Sequence, residues 1–138
     1  MDFSSVNWLA VLASVVASMI IGSIWFSPKV FYPGWWKAIG EPKADDVMQP
    51  ALVWGGTILA SLIQAVFINL MVNVMGSVAG GASLASGALA GFFLWLGFVA
   101  PSSLTNKLFA GQFRAWLYEV GNHLVTFLAM GAISGAMS

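Results

Sequence analysis

The sequence predicts an all-α polytopic membrane protein, a four-transmembrane-helix bundle with a short interfacial segment after the first helix. Three observations predict it. Of 138 residues, 59% are hydrophobic and 7% are charged, against roughly 25% charged in an ordinary soluble domain. Two long stretches, 3–28 and 47–106, contain no Asp, Glu, Lys or Arg. All five Lys and Arg residues fall in two short connecting segments. A mean hydropathy of +0.89 agrees. The five positive charges balance five negative ones, so no electrostatic footprint for nucleic acid exists. No cysteine is present, which excludes a disulfide framework and thiolate chemistry.

The first span covers about residues 7–26. At 1.5 Å per residue those 20 residues reach about 30 Å, the thickness of the hydrocarbon core of a bilayer. It begins after Asp2 rather than a basic segment, and its apolar stretch is long for a signal sequence, so a retained span is expected. The charge-free run 47–106 is too long for one crossing and suits two, at about 51–75 and 84–105, with the glycine-rich segment Gly76-Ser-Val-Ala-Gly-Gly-Ala-Ser83 as the turn. A fourth span covers about 115–137. Prolines are expected to stop the first and third spans, at Trp25-Phe-Ser-Pro28 and Phe98-Val-Ala-Pro101.

Lys29, Lys37 and Lys43 lie in the loop 27–50, and Lys107 and Arg114 in the segment 106–114. By the positive-inside rule both segments face the cytoplasm and both termini face outward, which places the chain in a bacterial cytoplasmic membrane. Tyr32, Trp35 and Trp36, flanked by Lys29 and Lys37, suit an anchor in the headgroup plane, rings inward and ammonium groups in water. Small residues repeat every fourth position: Ser14, Ser18 and Gly22; Gly56 and Ala60; Ser83, Gly87 and Gly91; Gly131 and Gly135. Such stripes serve close helix packing either within one chain or between chains. Four short spans make a slender bundle, so a homo-oligomer or a subunit of a larger membrane assembly is expected.

The chemistry concentrates on the fourth span. Glu119, Asn122, His123, Thr126 and Met130 share one helical face. Measured from Arg114, Glu119 lies roughly 7.5 Å deep and the single histidine, His123, roughly 13.5 Å deep. Exposing a charge to lipid there costs at least ~2.5 kcal/mol, so this face turns toward protein or water. Expected partners are Gln64, Asn69 and Asn73 on the second span, with Asn106 and Lys107 near the inner mouth. The face reads in two ways: as polar glue between helices, or as a path in which Glu119 and His123 pass a proton or bind a cation. One histidine and one intramembrane carboxylate are too few for a metal centre. Met71, Met75 and Met130 read as flexible core filler, and Asp45 and Asp46 as a solvated loop. No phosphate loop, nucleophile elbow or catalytic carboxylate pair is present. The sequence therefore suggests neither an enzyme nor a cofactor.

Several short stretches carry a family resemblance: Asn7-Trp-Leu-Ala-Val, Gly22-Ser-Ile-Trp-Phe-Ser-Pro28 with Phe31 and Trp36-Lys37, Gly97-Phe-Val-Ala-Pro101 with Asn106 and Phe109, and Gly121-Asn-His-Leu-Val125 leading to Met130-Gly131. Together these resemble the bacterial membrane-protein family called domain of unknown function 1761. The resemblance implies a small, four-span, single-domain inner-membrane protein and brings no activity or catalytic residue.

Overall fold

A computed structural model describes all residues, 1–138, and is helical throughout, without strands. In chain order the helices are α1 (Trp8–Trp25), α2 (Tyr32–Ala38), α3 (Pro50–Ala79), α4 (Leu84–Leu94), α5 (Ala100–Phe109) and α6 (Phe113–Ala136); a π-helical segment, Trp95–Val99, joins α4 to α5. Three continuous stretches are long and apolar enough to cross a membrane: Trp8–Trp25, Pro50–Ala79 and Leu84–Phe109, with hydropathies of 2.0, 2.0 and 1.7. The remaining long helix, α6, carries Arg114 and Glu119 and is less apolar.

Each start and stop has a local cause. Asn7 caps α1, its side chain accepting hydrogen bonds from the N–H groups of Leu9 and Ala10. Pro50 opens α3 at a position where its missing N–H costs nothing. Gly80 closes α3 with φ of 81°, a left-handed conformation that disfavours any other residue. Ser83 and Ser86 form a capping box for α4.

Two sequence expectations are corrected here. The turn expected across residues 76–83 is shorter, because α3 continues to Ala79 and Gly76 stays helical and buried under Ala82. Pro101 does not stop the third long helix. The π turn before it inserts one extra residue, which offsets the preceding carbonyls from the proline ring. The hydroxyls of Ser102 and Ser103 then donate to the carbonyls of Phe98 and Val99, at 2.5 and 2.7 Å. The π turn accommodates the proline ring, and the Ser hydroxyls reinforce the carbonyls just beyond the one that proline leaves unpaired.

Helix α6 is the centre of the packing and touches α1, α3, α4 and α5, as well as α2. It runs antiparallel to α1, since Asn7 bonds the Met137 carbonyl at one end and Trp25 bonds the Tyr118 carbonyl at the other. It is antiparallel to α4 too, and there the helices meet backbone to backbone: a side chain on Gly87 would run into Gly131 and Gly135, and one on Gly91 into the Phe127 carbonyl. The α4 and α6 stripes are thus consumed inside the chain, and on α1 Ser14 and Ser18 are buried while Gly22 faces open space. The α3 stripe is not consumed: Gly56 and Ala60 are exposed.

Burial is inverted relative to a water-soluble protein. Small and polar residues fill the interior, including Ala10, Ser14, Ser18, Ser61, Ala65, Asn69 and Ser134. Along α1 the large apolar residues Leu9, Leu12, Val16, Ile20 and Ile24 all face outward, each more than half exposed. In water such a stripe would be a large exposed apolar patch, whereas lipid solvates it. The distribution suits a membrane protein.

Candidate polar site

The polar residues assemble at the two opposite ends of the bundle rather than in one cluster. At the end where α2 and the connecting segments lie, Lys107 near the C-terminus of α5 meets Glu119 on α6, with Nζ 2.9 Å from Oε1. Gly111 makes the meeting possible. With φ of 68° it reverses the chain in a tight turn, and the Gln112 N–H returns to the Lys107 carbonyl at 2.8 Å. The same carboxylate oxygen accepts from the Trp35 indole N–H at 3.0 Å, so α2 is tied to the acid on α6. Gln112 extends the network, accepting from Lys107 at 3.3 Å and donating to the Ile39 carbonyl at 3.4 Å. Both charged side chains are about one-fifth exposed, at 23% and 20%. In this half-dry setting a short, charge-assisted contact is stronger than a surface ion pair.

Aromatic packing seats α2 in place. Trp25 packs on Phe31, Phe26 on Trp35, and Tyr32 stacks on Trp36 with centroids 5.6 Å apart. Gly34 lies so close to the Tyr118 hydroxyl that a methyl group there would collide with it. The expected anchor residues therefore divide. Lys29 and Lys37 are exposed, as an interfacial anchor requires, while Trp35 turns inward as a hydrogen-bond donor.

At the opposite end, Asn7 ties three helices together. Its backbone N–H donates to Asn69 Oδ1 at 3.0 Å and its side-chain amide donates to the Met137 carbonyl at 2.8 Å. Asn73 donates to the Ser5 carbonyl at 2.8 Å. Asn69 and Asn73 are thus far from Glu119 and His123, contrary to the sequence expectation. They lie near the end of the second long helix, and the antiparallel α1 delivers Asn7, not α6 acids, to that level. Replacing Asn69 with Leu leaves the Asn7 N–H unpaired and is expected to destabilise the chain by about 1–3 kcal/mol. Thermal unfolding in detergent micelles measures this, and an unchanged midpoint would refute the clamp.

The residues between the two ends are placed as follows. Thr126 is buried, His123 and Asn122 are half-buried, and Gln64 is half-buried on α3 without a side-chain hydrogen bond. Asn106 is exposed and does not join the Lys107–Glu119 pair. Glu119 takes Lys107 and Trp35 as its partners and makes no hydrogen bond to His123. His123 Nδ1 and Asn122 Nδ2 are buried with no protein partner, and so are Ser14 Oγ, Asn69 Nδ2 and Ser134 Oγ.

The ties that sequence reasoning missed are Asn7, Gln112 and three indole donors. Trp25, Trp95 and Trp116 each cross between helices, to the Tyr118 carbonyl, the Val120 carbonyl and the Ser103 hydroxyl, at 2.9, 3.0 and 3.1 Å. The available signal was that a half-buried indole N–H needs an acceptor.

The family model described as Protein of unknown function (DUF1761) matches residues 9–135. The chain belongs to this family. The matched stretch includes the Lys107–Glu119–Trp35 contact and the whole polar face of α6, so the site lies inside the DUF1761 domain. No curated protein and no solved structure matches the chain. The DUF1761 description assigns no activity, and function rests on the geometry.

Proposed function

We propose that the chain is a four-span protein of the bacterial cytoplasmic membrane, both termini outside, that works as a structural or accessory subunit. The observation that carries this reading is the condition of α3. Its residues 51–60 are exposed on every side, whereas Ser61, Ala65, Ile68 and Asn69 beyond them are buried. The last α1–α3 tie before this stretch is Ser18–Ser61, at 2.6 Å. About 15 Å of helix therefore has no partner inside the chain, and it presents Gly55 and Gly56 with open space before them. Lipid gives apolar faces little reason to meet, so a helix left in this state associates through small residues that let backbones approach. Gly56 and Ala60 offer that surface to a second copy or to another subunit.

The fourth span is α6. Its 24 residues reach about 36 Å, and its one deep acid is neutralised by Lys107 within the chain. Lys29, Lys37, Lys43, Lys107 and Arg114 all lie toward one end of the bundle, which supports the cytoplasmic assignment of that end. Single cysteines at positions 56 and 60, in an otherwise cysteine-free chain, are expected to cross-link as dimers in native membranes. Absence of cross-links, together with a monomer mass in lipid nanodiscs, would overturn the subunit reading. A C-terminal reporter active only on the cytoplasmic side would overturn the topology.

A second reading is a small transporter or channel for protons, ions or small solutes. The observation favouring it is the pair of unpartnered buried groups on α6, Asn122 Nδ2 and His123 Nδ1.

A further inference from the structure

The cross-helix hydrogen bonds set the depth of every polar group. Taking the level of Asn7, Asn69 and Met137 as the origin, 1.5 Å per residue puts Ser134 at roughly 4.5 Å and Ser14 at roughly 10 Å. Ser18 and Thr126 then fall at roughly 16 Å, with Ser61 held at the level of Ser18 by their hydrogen bond, His123 at roughly 21 Å and Glu119 at roughly 27 Å. The Trp25–Tyr118 bond at the far end agrees with this register. Successive groups are separated along the axis by no more than about 6 Å, close to the span of one water bridging two oxygens through hydrogen bonds of about 2.8 Å.

The same level-by-level series contains the groups that lack protein partners. Asn69 and Ser14 are fully buried, and Ser134 is 1% exposed; each leaves a polar atom unpaired, as do His123 and Asn122 deeper in. Buried polar atoms of this kind are ordinarily satisfied by internal water. The five lie on α1, α3 and α6 and are spread over the depth of the bundle.

We propose that the α1/α3/α6 interface is a proton-conducting seam of side chains and intervening waters, running from the Asn7–Asn69 rim to the Lys107–Glu119 pair, with His123 as its one titratable relay. This rests on the pathway reading of the α6 face given above. The interior groups are neutral hydroxyls and amides, whereas a metal cation would need a shell of several oxygens that nothing here assembles. Val11, Leu70 and Met130 are wholly buried beside the series and leave no wide passage for a solute. The charged groups facing His123 are Glu119 on its own helix and Lys107 on α5; α1, α3 and α4 bring none. A proton arriving from the rim binds the unpaired Nδ1, and one leaves from Nε2 toward Glu119. The ring then exchanges tautomer, so one proton enters and one departs. Lys107 and Trp35 both engage Oε1 of Glu119, and Oε2 is the oxygen that receives the proton. Met130, fully buried at the depth of Ser14, is the large apolar side chain on this face of α6 and is assigned as the gate.

The test uses the purified full chain in phosphatidylcholine–phosphatidylglycerol vesicles containing a pH-sensitive dye, with a potassium diffusion potential set by valinomycin. Wild type is expected to acidify the lumen faster than protein-free vesicles. His123→Gln, which keeps a polar amide but cannot titrate, is expected to lose that flux, Ser14→Ala to reduce it, and Met130→Ser to raise it. The wild-type rate is also expected to depend on pH, and any residual rate of His123→Gln is expected not to. Unchanged flux in His123→Gln would overturn the relay. Wild type matching protein-free vesicles for protons, while passing sodium in a parallel assay, would overturn the proton assignment and leave the pathway reading standing. Failure to pass either ion would overturn both.

Discussion

Gly87→Leu is expected to abolish the native packing of α4 on α6. A Cβ at position 87 overlaps the Gly131 carbonyl and comes within 2.9 Å of the Gly135 Cα, while a Cβ at position 131 overlaps the Gly87 carbonyl. These obstacles are backbone atoms, so no side chain can rotate aside. Even Gly87→Ala must push the helices apart, at a cost of about 1–3 kcal/mol; a leucine removes the contact. Loss of cooperative unfolding in detergent is the readout. Gly22→Ala is the control, because nothing lies within 4 Å of that position, and there the gain in helix propensity should leave the midpoint level or slightly raised. A wild-type midpoint for Gly87→Leu would contradict the backbone contact.

The second large effect is expected at the ion pair. Lys107→Ala leaves a half-buried carboxylate held only by the Trp35 indole, and should destabilise the chain by about 2 kcal/mol. Removing both charges, as Lys107→Met with Glu119→Leu, should recover most of that loss, because two apolar side chains need no compensation. The double-mutant cycle isolates the coupling. It should be large between Lys107 and Glu119 and small between His123 and Glu119, which make no hydrogen bond. Trp35→Phe should free α2 while leaving the Lys107–Glu119 contact in place. Protease sensitivity in the segment 27–50 would report this, and equal cleavage of wild type and variant would refute the tie.

Both predictions concern contacts whose residues stood out in the sequence without their partners. Gly87, Gly91, Gly131 and Gly135 were visible as stripes, yet a stripe only states that something comes close. Pairing α4 with α6 took the register of two antiparallel helices. Glu119 and Lys107 were both recognised, but helical spacing offered His123 as the nearer partner to Glu119. The lysine won because the Gly111 turn folds α5 against α6 and brings an ammonium group to the carboxylate. Asn69 and Asn73 were assigned to the acid for their polarity, and their depth placed them at the other end.

Pro101 shows the reverse failure. The rule that a proline ends a helix holds where water must solvate the freed carbonyls. Here the π turn accommodates the proline ring, the hydroxyls of Ser102 and Ser103 bond the carbonyls of Phe98 and Val99, and the helix goes on to Phe109.

The all-helical character and the positions of the long apolar helices were set by hydropathy and charge spacing, because both act on each segment independently of its neighbours. Which small stripe is buried, which carboxylate partner is used and which polar atoms are left unpaired depend on the relative level and rotation of helices far apart in the chain. Those follow from packing, where backbone contact at Gly87 and Gly131 and the two end ties of α1 hold the register. Of the five acids and five bases that cancel on paper, Glu119 and Lys107 meet as an ion pair, and only the assembled helices bring them together.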